Sequence, residues 1–214
     1  MEKVAIFLRQ AAAINHFRTV ILRSFDRKEF DQLLLCSGFF QERGTFSASR
    51  DLAGSSPKWL CRKKVTAVGV YNGIWKPDFD RFIAGLQTIQ CCCGIPLSVE
   101  KRRTRRYHWH AKIFIASEGD DPALGIVGSS NMTRNAFGTS GSWNYEADVV
   151  LWNSDSAAAN HVMDNVLEGI SNIYQQSVIV TSYNAEEPPN RNLSLQDRLR
   201  FLRDEINEQS GIVE

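Results

Sequence analysis

A chain of 214 residues, 43% hydrophobic and 23% charged, is long enough to bury one sizeable core and short for two, so one principal domain is expected. No run approaches the length of a membrane span, and the opening MEKVAIFLRQAAAINHF interrupts its apolar stretch with charge, unlike a secretory leader; a cytoplasmic protein with no membrane partner is expected. The net charge of +1 conceals a basic half: residues 1–112 hold 20 Lys and Arg against 9 Asp and Glu, and residues 113–214 hold 5 against 15, which directs attention to polyanionic ligands.

Along the chain, apolar alternation and apolar runs predict strands over Gln32 to Phe39, Val65 to Tyr71, Pro96 to Glu100, Trp109 to Ala116, Leu124 to Gly128 and Glu146 to Trp152. Helical spacing predicts helices near Ile14 to Ser24, Asp78 to Cys92, Thr133 to Phe137 and Ala157 to Gln176. Strands and helices interleaved in this way imply an α/β fold, a buried mixed sheet flanked by helices on both faces. After Tyr183 the composition shifts to the polar, proline-bearing NAEEPPNRN, read as a linker over 184–193. Residues 194–214 follow as a C-terminal amphipathic helix: Ser194 and Asp197 form a capping box, and Leu195, Leu199, Leu202 and Ile206 share one stripe. That stripe packs either on its own domain, here residues 1–183, or on a second subunit or another protein.

The five cysteines, Cys36, Cys61 and the run Cys91, Cys92 and Cys93, show no CxxC spacing. Neighbouring cysteines do not easily aim at one ion, so they are expected to be small buried residues, and no metal or cofactor is expected.

Chemistry concentrates between Lys101 and Trp152. The run KRRTRRYH, with Lys101, Arg102, Arg103, Arg105 and Arg106, leads directly into YHWHAKIFIA. On an extended strand His108, His110 and Lys112 fall on one face and Trp109, Ala111, Ile113 and Ile115 on the other, a rigid cationic row suited to an anion. Taken alone, the basic run is as well explained as a solvated face. Downstream, ALGIV ends in GSSNMTRNAF, which places Ser129, Ser130 and Asn131 ahead of a short helix whose exposed N–H groups favour phosphate; a plain helix cap is the simpler role for Ser130 or Asn131. A further strand, NYEADVVLW, is opened by Glu146.

Together these pieces resemble the phospholipase D superfamily signature: HxK, a strand, GSxN, then a strand opened by glutamate. The matching residues are His110 and Lys112, Ser129 and Asn131, and Glu146. The aspartate usual five residues after the lysine is replaced by Ser117, with Glu118, Asp120 and Asp121 following; in the family that residue is mainly structural. The chain carries one copy of the motif where many members carry two. The resemblance implies that His110 attacks phosphorus, that a second His110 from a homodimer partner protonates the leaving oxygen, that Glu146 orients the imidazole, that Lys112 and Asn131 hold the phosphate oxygens, and that Ser129 orients those side chains or contacts phosphate, without a divalent ion.

No acyl-binding surface or anchor is visible, so the resemblance implies a nuclease, most readily on DNA, similar to the bacterial single-motif endonucleases and the catalytic domains of certain restriction enzymes in the superfamily. Lys101, Arg102, Arg103, Arg105, Arg106 and Ser130 are the expected substrate-binding residues, with Tyr107 and Trp109 as stacking faces if Trp109 is not core. No sequence-reading domain is evident, so the enzyme is either nonspecific or directed by a partner protein. A lipid phosphodiesterase sharing these site residues and a non-catalytic nucleic-acid-binding scaffold are the alternatives.

Overall fold

The computed structural model describes residues 2–54, 59–69, 74–104, 110, 112–168 and 177–213. In chain order the elements are β1 (Glu2–Leu8), α1 (His16–Asp26), β2 (Gln32–Ser37), β3 (Glu42–Arg43), β4 (Phe46–Ser47), α2 (Ala48–Ala53), β5 (Lys64–Gly69), α3 (Lys76–Gln87), β6 (Ser98–Thr104) and β7 (Lys112–Glu118). They continue with β8 (Asp121–Gly128), α4 (Arg134–Phe137), β9 (Ala147–Asn153), α5 (Ala157–Glu168), β10 (Val178–Tyr183), α6 (Leu195–Gln209) and β11 (Ser210–Ile212).

Nine strands form one sheet in the order β10-β1-β9-β8-β7-β2-β5-β6-β11. The neighbours β2, β5 and β6 run parallel and every other pairing is antiparallel, so the sheet is mixed. Alternation along the strands divides the side chains between two cores. On one face Leu33, Leu35, Phe114, Ala116, Leu124, Ile126, Val150 and Trp152 pack against Phe17, Val20 and Ile21 of α1, Phe82 and Leu86 of α3, and Val162 of α5. On the other, Leu34, Cys36, Val68, Ile113 and Ile115 meet Leu199 and Ile206 of α6. Helices therefore cover both faces, as the interleaved pattern implies.

The stripe on α6 packs on its own sheet. Leu195, Leu199 and Ile206 are buried, a gain of roughly 1.5–3 kcal/mol each against full exposure. Gly125 of β8 is what allows the approach: a Cβ there would lie 2.3 Å from Leu199 Cδ2. The helix is capped as its sequence indicates, the Asp197 N–H donating to Ser194 Oγ at 2.9 Å. The Glu2 carboxylate takes two more of its free N–H groups, from Leu195 at 2.9 Å and Gln196 at 3.2 Å, so the first strand caps the last helix. Arg200 pairs with Asp121 at 2.8 Å.

Several boundaries differ from expectation. The strand expected from Trp109 begins at Lys112, which leaves His110 ahead of it; Trp109 and His108 lie outside the described residues. The strand expected over Pro96 to Glu100 runs from Ser98 through the basic run to Thr104, because β11 pairs along it and its charged residues sit near the sheet's edge, where charge is tolerated. The helix over Asp78 to Cys92 starts two residues earlier, with Pro77 in its first turn, and ends at Gln87. The part of α5 expected beyond Glu168 and the end of the strand expected over Val65 to Tyr71 fall outside the described residues.

Candidate active site

Strand register brings the candidate residues to one edge of the sheet. Leu8 pairs with Ala147, Gly128 with both Asp148 and Lys112, and Cys36 with Ile113. The residues just beyond these pairs, Arg9, Glu146, Ser129, Lys112 and Ser37, therefore share one end of the sheet, with His110 before Lys112 and Asn131 after Ser129.

Ser129 and Glu146 are joined directly. The serine hydroxyl donates to Glu146 Oε2 and accepts the Ala147 N–H at 3.0 Å, while Asn144 Nδ2 donates to Glu146 Oε1 at 3.1 Å. The Glu146 carbonyl also accepts the Arg9 N–H at 2.9 Å, and the residue is buried. No hydrogen bond joins Glu146 to His110 among the described residues, but a carboxylate accepting two bonds keeps acceptor capacity.

Asn131 is fixed through its oxygen. Oδ1 accepts the Phe39 N–H at 3.2 Å and the Ser37 hydroxyl at 3.2 Å, and Ser37 Oγ also donates to the Phe39 carbonyl at 2.8 Å. A backbone donor on one side of the amide assigns Nδ2 to the other, and no described residue accepts from it. Lys112 is half-buried and its Nζ forms no ion pair among the described residues. His110 is exposed, its ring edge-on to Phe39 at 6.4 Å, and Phe39 in turn packs on Trp75 at 4.6 Å. An imidazole, a lysine amine and an amide donor at one rim can together engage an anion.

Behind this rim lies a charged layer that the sequence reading missed. Asp148 is buried, and burial pushes its carboxyl above the usual range, against hydrogen bonds from Ser130 that favour the ionised form; nearby Glu146 pushes it further up. Ser130 Oγ donates to Asp148 at 2.7 Å and is itself buried, so this expected substrate-binding residue is committed to the carboxylate. Gly128 must be glycine, since a Cβ would lie 2.0 Å from Asp148 Oδ1. The Arg9 guanidinium gathers the carbonyls of Asn135 and Ala136 at 2.8 Å and of Gly138 at 2.7 Å, bracing the end of α4. Burial lowers its affinity for the proton, and Glu146 and then Asp148 oppose that effect. Its only sequence signal was an arginine directly after an apolar stretch.

The basic run divides by strand alternation. Lys101 pairs with Asp80 at 2.8 Å. Arg102 turns to the α6 face, donating to Ser210 Oγ at 3.0 Å, the Asn207 carbonyl at 2.8 Å and Glu100 at 3.0 Å, and so holds the C-terminal segment. Arg103 is exposed and stands level with Gly69 at the site edge. Arg105, Arg106 and Tyr107 lie outside the described residues. Ser117, where the family has aspartate, is buried at the far end of β7, paired with Gln32 and Pro122, remote from the site edge.

No family model and no curated protein matches the chain. Among solved structures, phosphatidylserine synthase from Haemophilus influenzae aligns with 98% of this chain and 48% of its own, with TM-score 0.50 and 14% identity. NucT from Helicobacter pylori aligns with 86% of this chain and 100% of its own at TM-score 0.47 and 15% identity. Nuc from Salmonella typhimurium, described as a phospholipase D family member, gives 86% and 100% at TM-score 0.41 and 17% identity. At such identities the likeness is one of fold, and the first of these carries it.

Proposed function

We propose that this protein, a chain with the phospholipase D fold, is a metal-independent phosphodiesterase that cleaves nucleic acid, DNA above all, in a site built from two copies of the chain. The observation that carries the reading is the rim itself: His110, Lys112 and the Nδ2 of Asn131 stand on the sheet edge that also holds the Ser129–Glu146 pair, and none of the first three is spent on another described residue.

In this reading a lone pair of neutral His110 attacks phosphorus and the bond to the leaving ester oxygen breaks. That oxygen takes a proton from the partner subunit's His110. Water then gives a proton to this second imidazole, adds to phosphorus and breaks the P–N bond, releasing the phosphate end. The two steps need one of the two imidazoles as nucleophile and the other as proton donor. Glu146 uses its remaining acceptor capacity for the far ring N–H of His110, fixing the tautomer, while Ser129 and Asn144 hold the carboxylate. Lys112 and Asn131 donate to the nonbridging oxygens, where charge builds in the transition state. Because one chain supplies one such histidine, the second comes from a homodimer.

Arg103, Arg105 and Arg106 draw and hold the substrate backbone, and Lys101 and Arg102 add to the same field from within their ion pairs. Phe39 and Trp75 beside His110 offer faces for unpaired bases. Incubating the protein with plasmid DNA and, separately, with phosphatidylcholine vesicles tests the substrate class. Cleaved DNA with intact lipid supports the reading, and released choline with intact DNA overturns it.

A further inference from the structure

Cys61 belongs to a short 3₁₀ turn, Leu60–Arg62, entered through Trp59 in the left-handed region at φ 69°. Cys91 and Cys93 belong to the tight loop between α3 and β6, closed by the Gly94 N–H donating to the Cys91 carbonyl at 2.8 Å and by Cys91 N–H to Ile95 at 2.9 Å. Gly94 turns that loop at φ +78°. Thirty residues apart in sequence, the two segments bring the sulfurs of Cys61, Cys91 and Cys93 within 4.8 Å of one another. The loop conformation overturns the expectation from spacing: the side chains of residues 91 and 93 converge, and Cys92 Sγ lies 3.9 Å from Cys91 Sγ. Nor are the cysteines uniformly buried, since Cys92 and Cys93 are exposed.

We propose that Cys61, Cys91 and Cys93 form a thiolate site for a thiophilic metal ion, with zinc as its ordinary occupant. Zinc–sulfur bonds of about 2.3 Å set sulfur–sulfur separations of roughly 3.8 Å in a tetrahedral site, so a contraction of about 1 Å or less closes the cluster. Exposed Cys93 leaves an entry path, and either Cys92 or water completes the fourth position. Thiol ligands bind deprotonated, so binding releases their protons to solvent. The site clips the turn before Lys64 of β5 to the loop before Ser98 of β6, residues that pair with each other at the sheet end opposite His110. Its role is to brace the parallel strands, and it does not rest on the reading of the catalytic site.

The test is titration of reduced, metal-free protein with Zn²⁺, and with Co²⁺ as a coloured substitute. One equivalent should bind, the cobalt form should show thiolate charge-transfer absorption, and the unfolding temperature should rise with added zinc. Cys61→Ser and Cys93→Ser should each lose stoichiometric binding while Cys36→Ser keeps it. Should the serine variants fail to fold, alkylation of the wild type followed by mass spectrometry decides: zinc should shield Cys61, Cys91 and Cys93 together. Absence of stoichiometric binding to folded wild type, equal alkylation with and without zinc, or recovery of a Cys61–Cys91 or Cys61–Cys93 disulfide from the purified protein would overturn the proposal.

Discussion

Ser129 Oγ stands between two partners, donating to the Glu146 carboxylate and accepting the Ala147 N–H at 3.0 Å, so the residue that ends one strand holds the acid that opens the next. Glu146 is thereby oriented by the sheet's own register. If it then orients His110, Glu146→Gln should lower single-turnover cleavage by roughly 10²- to 10⁴-fold with little change in substrate binding. Tighter binding with wild-type turnover would make it only a rim carboxylate. Ser129→Ala should produce a smaller loss in the same direction.

Asn131 gives a cleaner separation of fold from chemistry. Asn131→Asp retains the oxygen that accepts from Phe39 N–H but replaces the donor facing the rim with a second acceptor. Thermal unfolding should change little while turnover falls by about 10²-fold or more, the scale of one lost transition-state donor. A variant that unfolds early with per-molecule activity intact would assign Asn131 a purely structural role.

The arginine run should separate into two functions. Arg103→Ala should weaken duplex binding and reduce the log–log salt slope by about one unit per lost phosphate contact. Arg102→Ala should instead release Ser210 and Asn207, lower the unfolding temperature and leave the salt slope nearly unchanged. Equal slopes for wild type and Arg103→Ala would return the exposed residue to a solvated face.

The candidate residues His110, Lys112, Ser129, Asn131 and Glu146 could be singled out in the sequence because the phospholipase D pattern specifies residue type, order and strand context together. The contacts of Arg102 with the C-terminal segment were not legible for a physical reason: a strand alternates its charges between faces, and only the pairing with β11, three residues long, decides which way Arg102 turns. No strand is expected over Glu2–Leu8, yet β1 lies between β10 and β9 within the sheet; its continuous apolar run VAIFL does not by periodicity tell a buried strand from a helix. Arg9 and Asp148 carry no motif: both are buried, Arg9 against carbonyls more than a hundred positions away and Asp148 against Ser130 across the neighbouring strand end. The cysteine cluster was hidden because convergence of Cys61 with Cys91 and Cys93 depends on the turn at Gly94.

A buried lysine gives a pH signature. Lys63 is 2% exposed and donates to the carbonyls of Arg27 and Phe30; burial lowers it from its ordinary 10.5 to about 8, against the pull of Asp31, Glu29 and Asp26. Below about pH 8 both folded and unfolded chains carry the proton and the full cost of the buried charge is present. As pH rises from about 8 to 10.5 the folded chain sheds it first, so the unfolded state binds more protons and this residue's contribution to stability rises, by on the order of 3 kcal/mol. Chemical denaturation across that range, compared with Lys63→Met to remove the background of other groups, should show the rise in wild type alone. Parallel curves would contradict it.

Whether His110 cleaves phosphodiesters without a divalent ion is decided by incubating wild type and His110→Ala with single- and double-stranded DNA and RNA in excess EDTA. Wild type should cut DNA at an undiminished rate under chelation, and the variant should not cut. Cleavage that vanishes with EDTA and returns with magnesium, or that persists in His110→Ala, would contradict it.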